Sequence, residues 1–118
     1  MTMPDAPRRI QLRRTKGWRM PEGAVSVARP TKWGNRCRVE HVQGIGWCCT
    51  DVSTGTSTTA AGPREAHAMA VERHRADVMA QPDLVVAAKR ELRGKDLGCW
   101  CPESMPCHAD VWLEVANG

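Results

Sequence analysis

Among the 118 residues there is neither a phenylalanine nor a tyrosine. Five tryptophans make up the whole aromatic inventory, so core volume must come from valine, leucine, methionine, alanine and those indoles. Apolar runs are short. None approaches the roughly 20 residues needed to cross a bilayer, so no membrane partner is expected. The basic start, Met1 to Arg14, lacks the apolar stretch of a secretory signal. Without export, the six cysteines are expected in a reducing compartment. There, metal ligation, catalysis or plain burial is favoured over a disulfide framework.

What is present fits one domain, 8–118, behind a loose start over 1–7. The net charge of +4 is unevenly spread: residues 1–40 carry +7 and residues 41–118 carry −3. That split suits either a basic face for phosphate or a solvated arm. Alternation predicts short strands over Arg9–Arg13 and Ala24–Ala28, with a hairpin over Arg38–Thr50. Asp51 to Ala61, rich in Ser, Thr and Gly, reads as an exposed connection. A helix begins after Gly62 with Pro63 and Glu65 in its first turn and is expected to stop at Pro82. Asp83 then caps a second helix over Leu84–Arg93, ended by Gly94. Lys95–Cys101 reads as a buried strand, and Cys107 or His108 opens a third helix. Strands near both ends with helices between and after predict an α/β or α+β fold, a small sandwich of a short sheet with about three helices.

The chemistry concentrates in Cys99-Trp100-Cys101-Pro102-Glu103-Ser104-Met105-Pro106-Cys107-His108-Ala109-Asp110. Residues two apart on a strand share a face, so Cys99 and Cys101 point together. Pro102 and Pro106 turn the chain so that Cys107 and His108 can return to that pair. Cys99, Cys101, Cys107 and His108 could thus hold Zn2+ in a tetrahedral site, with Cys37, Cys48 or Cys49 as substitutes for a missing ligand. The Cys-x-Cys spacing is tighter than that of zinc knuckles. The catalytic alternative uses Cys107 as a thiolate at a helix N-terminus, with His108 and Asp110 as base and orienter. In the structural alternative the cysteines only pack, and Asp110 only caps the helix. His67 and His74, seven residues apart on one helix, are expected at the surface.

A second candidate is Arg29-Pro30-Thr31-Lys32-Trp33-Gly34-Asn35. Arg29 and Lys32 can meet phosphate, Trp33 can stack on a base, and Asn35 can hydrogen-bond a base edge. The same residues also suit a turn in which Trp33 plugs the core.

Together with Arg8–Arg14 and Leu92–Leu97, the Arg29–Asn35 and Cys99–Asp110 blocks resemble an uncharacterised domain family of bacteriophages and bacteria, domain of unknown function 4326. Arg36 stands where that family typically has proline. The resemblance implies a phage accessory protein in the host cytoplasm and supplies no activity. The leading expectation is an α/β domain that binds a nucleotide or nucleic acid in a pocket shared by the Arg29–Asn35 loop and the Cys/His segment. An enzymatic and a non-enzymatic version both stand. The rivals are a non-enzymatic binder of a host protein, using Trp18 or Trp33, and a zinc-stabilised nucleic-acid-binding module.

Overall fold

Among the described residues, two three-stranded sheets and three helices give an α+β fold. The computed structural model describes residues 7–118, so nearly all of the expected loose start lies outside the described residues. Strands β1 (Arg9–Gln11), β2 (Val25–Ser26) and β6 (Leu97–Cys99) form a parallel sheet in the order β1-β6-β2. β6 lies in the middle and is buried along its whole length. The ladder extends past the strand ends through Leu12 N–H to the Cys99 carbonyl and Val27 N–H to the Gly98 carbonyl, each 2.9 Å. The second sheet is antiparallel: β3 (Cys37–Val42), β4 (Gly46–Asp51) and β5 (Ser57–Thr59). The hairpin falls where the turn residues predicted it. β5 corrects the expectation of a bare connection: Ser57, Thr58 and Thr59 pair with β4 as an exposed edge strand. Its β-branched threonines suit a strand, although the composition reads as loop.

Helix α1 (Pro63–Met79) starts as its sequence suggests, with Pro63 in the first turn and the Glu65 carboxylate accepting from Ala61 N–H at 3.0 Å. It ends before the proline thought to stop it. Pro82 instead opens α2 (Pro82–Glu91), where its missing N–H costs nothing. After Leu92 the chain reverses at Gly94, whose φ of 76° favours glycine. Helix α3 (His108–Asn117) is closed by a capping box: the Cys107 sulfur accepts from the first turn, and the Asp110 carboxylate accepts from Cys107 N–H at 3.2 Å. None of these helices is long and apolar enough to cross a membrane.

α1 packs on β3 and β4 on one side and on α2 and α3 on the other. The main core gathers Val27, Leu92, Leu97, Val111 and Trp112. A smaller cluster joins Cys37 and Cys49 to Ala70 of α1. The carboxyl ends of β2 and β6 therefore open toward the gap between the sheets, floored by α1. Crevices at the carboxyl ends of parallel strands are the common ligand position in α/β sheets.

Candidate functional site

A cavity of about 420 Å³ occupies this gap. The loop after β2 supplies Ala28, Arg29 and Asn35, and the segment after β6 supplies Cys99 to Pro102 with Pro106 to His108. Cys37, Arg38 and Val39 of β3 face them, with His67, Ala70 and Val71 of α1 beneath and Arg14 at the rim. Asn35 and His108, far apart in sequence, line one hollow. Three arginines border it, and among the described residues it has no carboxylate in its lining.

At its base the sulfurs of Cys99, Cys101 and Cys107 lie within 4.8 Å of one another, close enough to hold a metal ion. Cys99 Sγ is 3.6 Å from Cys101 Sγ. His108 Nδ1 stands 3.7 Å from Cys99 Sγ and 3.6 Å from Cys107 Sγ. The opposite ring nitrogen, Nε2, is 2.7 Å from the Val27 carbonyl. A carbonyl only accepts, so the proton sits on Nε2 and a neutral ring turns the Nδ1 lone pair toward the sulfurs. A ligating histidine with its other N–H on a backbone carbonyl is a recurrent arrangement in metal sites.

The thiols share a restricted charge. Hydrogen bonds from Cys101 and Cys107 pull the Cys99 thiol far down. The contacts with Cys101 and Cys99, together with burial, push Cys107 far up. For Cys101 the contact with Cys107 lowers the pKa, but Cys99 and burial outweigh it and carry the thiol up to about 12. Burial and mutual repulsion thus oppose ionising all three sulfurs together. A doubly charged cation would let all of them ionise, which is the electrostatic case for a metal here. It also disfavours Cys107 as a free nucleophile: the helix N-terminus favours its thiolate, and the neighbouring sulfurs oppose it.

Asp110 is not brought to His108. Its carboxylate caps α3 and pairs with Arg9 at 3.1 Å, while Arg9 also donates to the Pro102 and Glu103 carbonyls. Asp110 therefore braces the Cys99–Cys107 loop from behind rather than orienting an imidazole.

The Arg29–Asn35 loop divides. It follows a cis Arg29–Pro30 peptide bond, and the Arg29 guanidinium folds back onto the Asn35 and Cys37 carbonyls. Trp33, 4% exposed, plugs the core edge-to-face against Trp112 at 5.0 Å, and Trp112 Nε1 donates to the Trp33 carbonyl at 2.7 Å. It can neither stack on a ligand nor offer a contact surface to a host protein. Lys32 faces away from the cavity and pairs with Glu91 at 2.9 Å. Asn35 reaches the cavity wall, but its amide is committed: Nδ2 donates to the Ala70 carbonyl at 2.9 Å, and Oδ1 accepts from Cys37 N–H at 2.8 Å.

Several residues went unanticipated. His74 is not at the surface: it is 4% exposed and lies edge-on to His108 and Trp112 at 5.1 and 5.2 Å. His67 is half-buried and lines the cavity, and burial lowers its pKa. Cys37 and Cys49 pack together against α1, and neither they nor Cys48 belong to the three-sulfur group. Arg14, Arg38 and Trp100 were not singled out as pocket residues. Only the count of cations in the first forty residues hinted at the arginines. The sequence model of the family described as Domain of unknown function (DUF4326) matches residues 10–118. No curated protein and no solved structure gives a match.

Proposed function

The chain belongs to that family of uncharacterised domains, and we propose that it is a zinc-centred binding domain whose cavity takes the phosphate of a nucleotide or nucleic acid. Cys99, Cys101 and Cys107 with His108 Nδ1 supply the donor set that zinc prefers. Zinc–sulfur and zinc–nitrogen bonds of about 2.3 and 2.0 Å imply tetrahedral edges of about 3.8 Å between sulfurs and about 3.5 Å from sulfur to nitrogen. Three of the six separations, 3.6, 3.6 and 3.7 Å, fall close to those edges; only the three sulfurs all lie within 4.8 Å of one another, so His108 would complete the set from the Cys99 and Cys107 side. Held by these residues, zinc would tie the end of β6 to the start of α3. Through the His108–Val27 bond it would also tie both to the end of β2.

The observation that carries the ligand reading is the charge of the hollow beside this centre. Arg14, Arg29 and Arg38 border it without a lining carboxylate. Among the described residues Arg38 pairs only with Glu40, at 3.3 Å, a pairing between solvent-accessible side chains worth little in water. In phage or bacterial cytoplasm, reducing conditions keep the thiols available for metal. The domain would act there as an accessory protein.

Metal analysis of protein purified without chelator tests the centre. One zinc per chain is expected, lost in Cys99→Ser and Cys107→Ser and retained in Cys49→Ser. A wild-type protein without metal refutes it. Titration with inorganic phosphate and adenosine monophosphate tests the hollow: Arg38→Ala and Arg14→Ala should each weaken binding, and added salt should weaken it further.

A further inference from the structure

With Trp33 in the core and the Asn35 amide committed, neither residue expected to read a base is free to do so. Trp100 is. It is the most exposed of the five tryptophans, 44% accessible, and it lines the cavity. It stands between Cys99 and Cys101, two of the proposed zinc ligands. Beside it the Arg14 guanidinium lies over the ring, 4.8 Å from the centroid, and among the described residues Arg14 has no carboxylate partner. Ring and cation thus form one surface at the mouth of an arginine-bordered hollow.

We infer that Trp100 is the base platform of this cavity, so that its ligand is a nucleoside phosphate held by ring stacking rather than by base-edge hydrogen bonds. This rests on the phosphate reading above and adds to it the chemistry that selects the ligand. A free base face stacks on the indole while Arg14 and Arg38 take the phosphate. Every nucleobase has a π-face, so recognition is tolerant of base identity, with the larger purine rings ahead of pyrimidines. A free nucleotide and the end of a single strand present the same chemistry.

The test uses the full chain as purified, with its metal, in calorimetric titrations against the four ribonucleoside 5′-monophosphates, ribose 5-phosphate and inorganic phosphate. Nucleotides should bind about tenfold to a hundredfold tighter than ribose 5-phosphate. Trp100→Ala should abolish that ratio while leaving ribose 5-phosphate affinity and zinc content unchanged, and Trp100→Phe should restore part of it. A short single-stranded oligonucleotide, with and without a 5′-phosphate, identifies the source: tighter binding than the mononucleotides points to a strand end, and equal or weaker binding to the free nucleotide. If nucleotides and ribose 5-phosphate bind alike in the wild type, or if Trp100→Ala leaves their ratio intact, the platform is refuted and the phosphate reading survives. If no phosphate compound binds, both fall.

Discussion

Replacing Asn35 by alanine distinguishes an amide that holds the fold from one that reads a ligand. The Ala70 carbonyl lies within α1 and keeps its helical hydrogen bond, so losing the Nδ2 contact removes one neutral bond, about 1 kcal/mol net. Cys37 N–H fares worse. Val52 N–H donates to the Arg36 carbonyl, and Cys37 stands opposite Asp51, so Cys37 occupies a non-hydrogen-bonded position of the ladder. Without Oδ1 its buried N–H is orphaned, at about 1–3 kcal/mol. The expected loss is about 2–4 kcal/mol, a large share of the roughly 5–15 kcal/mol of a typical domain. In urea denaturation followed by tryptophan emission, the midpoint should drop by about 1–2 M at a slope near 2 kcal/mol per molar. A midpoint within about 0.3 M of wild type, combined with a collapse of nucleotide affinity, would refute this reasoning and return Asn35 to the role of base reader.

Three other outcomes are expected. Burial holds the His74 imidazole down at about 3, below its unfolded value near 6.5. Protons therefore bind the unfolded chain first, and stability should fall as pH drops from about 6.5 toward 3, by up to about 1.4 kcal/mol per unit. Denaturation of His74→Leu across that window should show a flatter slope, and an unchanged slope contradicts the assignment. At Gly34 an added Cβ would stand 2.8 Å from Arg29 Cγ and 2.9 Å from its Cα, and the backbone cannot give way as a side-chain tip would. Thermal melting of Gly34→Ala should show a loss of about 1–3 kcal/mol. Trp112→Phe removes the donor to the Trp33 carbonyl, so hydrogen exchange of residues 31–34 should accelerate relative to α1; equal exchange would show that packing alone holds the loop.

The parts of this fold that were legible in the sequence are those written locally. Pro63 and Gly94 mark helix boundaries through their own φ preferences, and the β3–β4 hairpin announces itself by glycine-rich turn residues. The sulfur cluster was visible because three thiols and an imidazole fall within ten residues. Pro82 misled because proline both ends one helix and starts the next, and the choice depends on where α1 has already stopped. The loop was harder. Trp33 and Trp100 are alike as residues, and only the packing of α3 against the Arg29–Asn35 loop decides which indole is buried. Asn35 and His74 carry polar side chains into the interior on the strength of partners 35 and 34 positions away, Ala70 and His108. No local pattern encodes such partners.

The strand order β1-β6-β2 has a temporal meaning. Its central member is translated last, so β1 and β2 leave the ribosome without the neighbour that satisfies their backbone. At about 5–20 residues per second, roughly 4–17 s pass between Gln11 and Leu97. The β3–β4 hairpin, closed by a short turn, needs no such wait. Because Cys99 ends that central strand and Cys101, Cys107 and His108 follow directly behind it, closing the parallel sheet and assembling the thiol centre become a single late event of biogenesis.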